Sequence, residues 1–167
     1  MTPLSSRKIS PCLWFDGDAE DAARFYVALF PDSRIEGIHH NPADGPAGPA
    51  GSVLMVAFTL AGQRFLALNG GQKMEHTHAI SFQVDCEDQA EVDRLWAAFT
   101  AEGRAEQCGW LRDRWGVAWQ IVPSALPQLL ADPARAPRVM EALFKMVKLD
   151  VAALEAAARG GGGDGHG

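Results

Sequence analysis

The chain has 167 residues, of which 47% are apolar, and its formal net charge is -6. This length suits one compact domain or two small modules, and the apolar fraction excludes global disorder. The acidic balance and scattered basic residues argue against a nucleic-acid partner, whose backbone needs clustered lysine and arginine. No apolar run approaches the roughly 18–20 residues that a membrane helix requires, so we expect no membrane partner.

The start of the chain and the three cysteines bear on location. Residues 1–11 include basic side chains but no apolar stretch of the kind that follows them in a signal peptide. Cys12, Cys86 and Cys108 are odd in number and widely spaced. This pattern is typical of reduced thiols rather than of a disulfide framework or a zinc site. We therefore expect a cytoplasmic protein.

The first half of the chain predicts a strand, a helix and three further strands. Residues 9–15 form the first strand, and Asp18 stands where the N-cap of the following helix belongs. Pro31 marks the end of that helix. The later strands cover 33–40, 53–60 and 63–68, the last two joined by an Ala-Gly hairpin signal. The Pro/Gly/Ala-rich stretch 41–52 predicts an irregular loop.

The second half predicts the same order of elements. A strand at 78–84 precedes a helix that opens at 85–88 and ends before Gly103, and strands at 106–111 and 117–122 follow. Alternation places one set of side chains under the helices: Ile80, Phe82, Val84, Val117, Trp119 and Ile121. It turns the other set toward the opposite face: Ala79, Ser81, Gln83, Ala118, Gln120 and Val122.

The repeated order of elements predicts two similar modules related by pseudo-symmetry. At an offset of 69 residues Asp16 falls on Asp85, and at another offset 62–68 overlays 116–122. We expect paired modules in residues 1–123, at about 9–70 and 78–123. Helices at 126–130, 134–147 and 151–158 make up a C-terminal segment, 124–158. A flexible Gly-rich tail covers 159–167.

Three stretches, 12–26, 81–96 and 108–123, resemble the PhnB-like family. The last of them, Cys-Gly-Trp-Leu-Arg-Asp-Arg-Trp-Gly-Val-Ala-Trp-Gln-Ile-Val-Pro, is the most specific, and the helices at 138–157 are similar to the family too. The family is often labelled 3-demethylubiquinone-9 3-methyltransferase-like. It belongs to the vicinal-oxygen-chelate, or glyoxalase/bleomycin-resistance, superfamily. The chain lacks the Gly-rich turn between strand and helix that would cradle a nucleotide-like cofactor.

The resemblance implies an α+β fold in which two βαβββ modules form curved mixed sheets around a cleft, followed by C-terminal helices. It also implies a homodimer. Metal enzymes of the superfamily place His or Glu at four positions, which fall near Pro11, Leu66, Ala79 and Gln120. The first three offer no side-chain donor atom and Gln is a weak ligand, so we expect neither a metal ion nor another cofactor.

Other candidate chemistry is better explained by structure. A one-residue shift of the alignment would bring in Cys12 or His78 as metal ligands, but alternation would turn both toward the helix face. His39 and His40 are adjacent and so face opposite ways on a strand. The acidic pairs at 16/18 and 87/88 stand at helix starts, where capping is the more common role than acid–base catalysis.

We predict that inward polar groups in an apolar surround form a small-ligand site. Its lining residues are Leu13, Phe15, Leu66, Ser81, Gln83 and Gln120. The leading hypothesis is a metal-free protein that binds a small apolar or aromatic molecule. Two alternatives stay open: a divalent-metal-dependent lyase, isomerase or dioxygenase, and a dimeric interaction module with a vestigial cleft. The sequence does not decide whether the protein is an enzyme.

Overall fold

The computed structural model describes residues 8–160, which form an α+β fold of two units divided between Glu75 and His76. Each unit contains one four-stranded mixed sheet and one long helix in the order βαβββ, and three more helices follow the second sheet. The predicted doubling of the module is therefore confirmed. None of the helices in the described part of the chain is long and apolar enough to cross a membrane.

The first unit contains β1 (Cys12–Phe15), α1 (Ala19–Leu29), β2 (Arg34–His40), β3 (Val53–Leu60) and β4 (Gln63–Asn69). The strands lie in the order β1-β4-β3-β2, with β1 parallel to β4 and the other pairs antiparallel. The hairpin between β3 and β4 is confirmed. Ala61 and Gly62 both have positive φ, as the tight turns that suit the twist of a hairpin require.

Aromatic rings join α1 to its sheet. Tyr26 of α1 is fully buried, and its ring stacks on Phe58 of β3, which in turn stacks on Phe65 of β4. Asp18 occupies the N-cap position of α1 but makes no side-chain cap. Instead, Asn69 Oδ1 at the end of β4 accepts a hydrogen bond from the Ala19 N–H at 2.9 Å. The helix start is thus fastened to the sheet by a residue that is distant in sequence.

The loop at 41–52 is irregular, as predicted, but it is held by its own hydrogen bonds. Asn41 is buried, its backbone N–H donates to the Ser52 carbonyl, and its side-chain nitrogen donates to Ser52 Oγ at 2.9 Å. Asp44 Oδ1 accepts from the Ala50 N–H. The loop is therefore an ordered part of the first unit.

The second unit contains β5 (Phe82–Cys86), α2 (Gln89–Thr100), β6 (Arg104–Ala105), β7 (Trp110–Arg112) and β8 (Ala118–Pro123). The strand order β5-β8-β7-β6 repeats that of the first unit, with β5 parallel to β8. Trp119 of β8 joins the sheet to α2, because its ring packs against Phe99 at a centroid distance of 4.8 Å. Asp88 caps α2 by accepting from the Glu91 N–H.

The C-terminal segment forms α3 (Ala125–Ala131), α4 (Ala136–Phe144) and α5 (Val151–Arg159). Asp150 caps α5 by accepting from the Ala153 N–H. These helices and the end of β8 share one apolar cluster, made of Val122, Leu126, Val139, Leu143, Leu149, Leu154 and Ala158. The tail beyond residue 160 lies outside the described residues.

The first strand, expected at 9–15, begins only at Cys12, and two predicted strands of the second unit differ further. The strand expected at 78–84 begins only at Phe82, and Ile80, expected under a helix, is 73% exposed in a turn. The strand expected at 106–111 begins only at Trp110, as β7, and β6 lies before the expected bounds. The residues that precede β7 form a turn, in which Cys108 and Gly109 both have positive φ. The chain cannot continue as a regular strand through two successive left-handed residues.

Candidate functional site

Each sheet has one face that packs on the long helix of its own unit, α1 or α2, and an opposite face, here named the inner face. In β4, Ala67 lies on the α1 face, and it pairs in register with Leu13 of β1. Leu13 and Phe15 are therefore buried against α1, at 7% and 4% exposure. Leu66 points to the inner face. The expectation that these three side chains line one surface is wrong.

The inner face of the first unit is apolar around the centre of β4. Its half-buried or exposed side chains include Cys12, Trp14, Met55, Leu66 and Leu68. The expectation that Cys12 turns toward the helix face is also wrong.

The Trp14 ring lies flat against Gly70, where an added Cβ would come within 1.8 Å of it. Its Nε1 donates to the Gln72 carbonyl at 2.8 Å. The ring is thus held in one position on the inner face of the first unit.

The inner face of the second unit carries amides and an aromatic ring. Gln120 of β8 pairs with Gln83 of β5 on one side and with Trp110 of β7 on the other. Gln120 Nε2 donates to Ser81 Oγ at 2.8 Å, and Gln83 Nε2 donates to Asp85 Oδ1 at 3.1 Å. The structure therefore brings Ser81, Gln83 and Gln120 together, on the face that alternation predicted. We name Ser81, Gln83, Trp110 and Gln120 the amide strip.

Beside the amide strip, the segment that leads into β5 is fastened to β7 by charged groups. Arg112 Nη1 donates to the His76 carbonyl at 3.0 Å, and Nη2 donates to His78 Nδ1 at 2.9 Å. Because a guanidinium can only donate, Nδ1 is the acceptor and Nε2 carries the proton toward Glu106. Glu106 Oε1 also lies 3.3 Å from Arg112 Nε. We name His78, Glu106 and Arg112 the clasp.

The carboxylate of the clasp is shared between two arginines. Arg104 Nε lies 3.5 Å from the same Glu106 oxygen, so one carboxylate faces two guanidinium groups. The His78 ring also meets the edge of Trp110, with centroids 5.6 Å apart. Both nitrogens of His78 are thus occupied, which makes the ring a structural link rather than a free general base.

The sequence analysis missed the clasp. His78 lies 28 residues from Glu106 and 34 from Arg112, so no local pattern joins them. Arg112 belongs to the stretch that most resembles the PhnB-like family, but that resemblance gives it no role. The one hint in the sequence is a charged residue, Arg112, within a predicted short strand. In the structure its side chain is only 19% exposed.

The residues present do not fit the metal site of the superfamily. Of the four expected positions, Pro11, Leu66 and Ala79 carry no donor atom, and Ala79 lies in an exposed turn. The side chain that meets Gln120 is Ser81, and these two neutral groups form a hydrogen bond rather than part of a ligand set for an ion. Over residues 8–160 no three His, Cys, Asp or Glu side chains are grouped so as to hold an ion. We therefore derive no chemical step through a metal.

A cavity of about 410 Å³ opens in the first unit between the start of α1 and the loop at 41–52. Its lining includes Glu20, Asp21, Gly48, Ser52 and Asn69. None of the six predicted site residues lines it. Glu20 is engaged by Arg24 at 2.8 Å, and Asn69 by the backbone of α1. These groups serve the structure of the first unit.

The cysteines differ in reactivity in a way that can be measured. Burial, with the carboxylates of Glu91 and Asp85 nearby, raises the pKa of Cys86 to about 12. The thiolate is the nucleophile, and at pH 8 only about one Cys86 in 10,000 carries it. We expect iodoacetamide at pH 8 to leave Cys86 unmodified in the folded protein and to label it in guanidinium.

Peptide mass spectrometry checks this expectation, with the exposed Cys12 as the internal reference. Burial raises the pKa of Cys12 as well, so its labelling should speed up as pH rises. Labelling of Cys86 in the folded protein as fast as Cys12 would contradict the expectation.

The chain matches one family model and several solved structures. The model of the 3-demethylubiquinone-9 3-methyltransferase family matches residues 7–122. The PhnB protein from Bacillus cereus is 33% identical, with 70% of this chain and 99% of that one covered and a TM-score of 0.64. A structure from Pseudomonas aeruginosa is 19% identical over 69% and 96% of the two chains, at a TM-score of 0.58, which bears on the fold alone.

A glyoxalase/bleomycin resistance protein from Albidiferax ferrireducens is 19% identical over 70% of this chain and 98% of its own, at a TM-score of 0.46. The curated proteins give no match. The family match ends at residue 122, so α3, α4 and α5 lie outside it.

Proposed function

The chain belongs to the 3-demethylubiquinone-9 3-methyltransferase family, the PhnB-like branch of the glyoxalase/bleomycin-resistance superfamily, and from that premise we propose that it binds a small apolar or aromatic molecule without a metal ion. The observation that carries the proposal is the amide strip. Gln120, half-buried on the inner face of the second unit, lies between Trp110 and Gln83. Apolar walls with a few placed polar groups are the usual composition of small-ligand sites.

The amide strip suits a neutral ligand that both stacks and forms hydrogen bonds. Gln120 donates to Ser81 through its nitrogen, which leaves the amide oxygen to accept from a ligand. The Ser81 hydroxyl, which accepts from Gln120, keeps its own proton to donate. The Trp110 ring beside them offers an aromatic surface. These groups support recognition of an aromatic ring that carries a hydroxyl or amide.

The methyltransferase in the family's name is not part of the proposal. The turn between β1 and α1 contains a single glycine, Gly17, and leads into a helix with Glu20 and Asp21 in its first turn. This turn lacks the Gly-rich sequence that brings the backbone close to a nucleotide-like cofactor, and the two acidic side chains disfavour an anionic ligand group at the helix start. The alternative is a metal-dependent enzyme. It would need a metal ligand at Leu66, one of the four positions used in the superfamily, and leucine has no donor atom.

Phenol is a suitable probe, because its hydroxyl can donate to or accept from an amide. In a ¹⁵N NMR titration of the full chain, we expect saturable shifts of the Gln120 and Gln83 side-chain amides, and the Gln83 amide serves as the readout in the Gln120 variant. Replacing Gln120 with leucine should weaken phenol binding roughly tenfold, since it removes the polar partner and leaves Ser81 without its donor. Gln128→Leu, on the exposed surface of α3, is the matched control and should bind as the parent does.

If phenol moves no resonance of the amide strip, ligand binding at this site is wrong. If Gln120→Leu and Gln128→Leu bind alike, the role given to Gln120 is wrong.

We further propose that the protein is a cytoplasmic homodimer. The three free thiols support a reducing compartment. Apolar side chains exposed in the single chain support a second copy as partner, with Ile80 at 73% and Phe144 at 64% exposure. Sedimentation equilibrium should return twice the mass of the 18.0 kDa chain, and a monomer at micromolar concentration would contradict the dimer.

A further inference from the structure

We propose that the amide strip is closed at both ends along β8, so that it takes a ligand of one aromatic ring and rejects longer ones. This inference rests on the proposed function. It adds the size class of the ligand and assigns the limit to two parts of the second unit. One is the C-terminal helices, which lie outside the family match. The other is the clasp.

The first closure lies at Val122. Alternation puts Val122 on the inner face, two residues beyond Gln120, where a bare sheet would leave it open. Yet Val122 is only 7% exposed, because it joins the apolar cluster of α3, α4 and α5. The inner face therefore stops at this residue.

Backbone hydrogen bonds fix the C-terminal segment in that place. The Cys108 N–H donates to the Met146 carbonyl at 2.9 Å, and the Gly109 N–H donates to the Val147 carbonyl at 2.8 Å. Gly109 packs closely on Leu149, because an added Cβ would lie 3.0 Å from that side chain. The wall is therefore tied to the turn that enters β7, directly before Trp110.

The second closure lies at Ala118, two residues from Gln120 in the other direction. Ala118 is on the inner face, paired with Arg112 of β7, and is 1% exposed. The clasp spans this point, since β8 lies between β5 and β7 and His78, in the segment that leads into β5, contacts Arg112. The amide strip is thus bounded on this side by the His76–Arg112 contacts.

The two closures set the size of the ligand. Ala118 and Val122 are four residues apart on one strand, or about 13 Å at the usual rise per residue. Ala118 and Val122 are both covered, so Gln120 is the inner-face residue of this part of β8 that a ligand can reach. One ring with one polar group fits this length, and a second ring in line with the first meets either Val122 or the clasp.

The test compares phenol with 4-phenylphenol, a two-ring probe of the same chemistry, in the full chain. Binding is read from the Gln120 side-chain amide in ¹⁵N spectra. Burial of apolar surface alone would favour the longer probe. We expect the parent to prefer phenol about tenfold, and Val122→Ala, which thins one wall, to reduce that preference at least threefold.

Val139→Ala is the matched control, because it removes the same methyl groups from the same cluster but lies on α4 rather than on the sheet. It should keep the parent's preference. A second variant, His78→Ala, opens the other end at a half-exposed side chain and does not depend on the stability of the cluster. It too should reduce the preference for phenol.

The outcomes separate the two proposals. The size limit is wrong if the parent binds the two probes equally. It is also wrong if the Val122 and Val139 variants show equal preferences and His78→Ala keeps the parent's preference. Either result leaves the proposal of ligand binding intact. Absence of any shift with phenol overturns the proposed function, and the size limit with it.

Discussion

Replacing Asp113 with alanine should lower the free energy of unfolding by roughly 3–5 kcal/mol, among the largest effects of any single change in this chain. Asp113 is 3% exposed. Its Oδ1 accepts from the backbone N–H groups of Trp115 and Val117, and its Oδ2 accepts from Trp119 Nε1 at 2.9 Å. Alanine leaves these donors buried without an acceptor, and each costs about 1–3 kcal/mol.

Chemical denaturation followed by tryptophan fluorescence measures this loss. Asp113→Asn keeps one oxygen for the backbone donors but turns a donor group toward Trp119, so an intermediate loss is expected. Asp16→Ala, at an exposed acidic residue, is the control and should stay within about 0.5 kcal/mol of the parent. A loss below 1 kcal/mol for Asp113→Ala would contradict the role given to this carboxylate.

Replacing Gly71 with alanine should destabilise the first unit by at least roughly 3 kcal/mol. Gly71 has φ +82°, and a Cβ there would lie 1.9 Å from the Pro46 carbonyl oxygen. Because that oxygen belongs to the backbone, the loop at 41–52 would have to move away from the end of β4. Thermal and denaturant unfolding should both report the loss.

Gly51→Ala separates strain from collision. Gly51 has nearly the same φ, +83°, but an added Cβ meets nothing within 4 Å. It should therefore cost only about 1–2 kcal/mol, from the left-handed backbone alone. Equal losses for the two glycine variants would show that the contact with Pro46 contributes nothing.

Local signals in the sequence were enough for most of the fold. The alternation of Phe82, Val84, Trp119 and Ile121 gives their buried faces correctly, and Phe82 meets Trp119 at 5.3 Å. The Ala61-Gly62 turn and the caps at Asp88 and Asp150 follow from residue type and position. Such features depend on neighbours in sequence, which is why a single sequence reveals them.

The errors in the fold occur where alternation is ambiguous. In β1 both faces are apolar, because Leu13 and Phe15 alternate with Cys12 and Trp14. The pattern therefore cannot choose a face, and register with β4 makes the choice. Ile80 continues the alternation of β5 in the sequence, but in the structure it lies outside the strand. The segment before β5 is bound instead to Arg112, through His76 and His78.

The candidate site was predicted only in part for the same reason. Gln83 and Gln120 were found because each is a polar residue between two apolar neighbours on a strand, so alternation assigns it to the face away from the helix. Trp110 and the clasp were not, since their neighbours come from turns and strands far away in the chain. The burial of Val122 depends on helices that begin after the sheet is complete.

The most direct test of metal-free binding uses protein purified without a His tag and treated with EDTA. Phenol binding is followed at the Gln83 side-chain amide and the Trp110 indole N–H, which flank Gln120 and remain in every variant. We expect saturable binding in the metal-free protein, unchanged when zinc or nickel is added back, and weakened roughly tenfold in Gln120→Leu. Binding that appears only after a stoichiometric metal ion is restored would contradict metal-free binding at the amide strip.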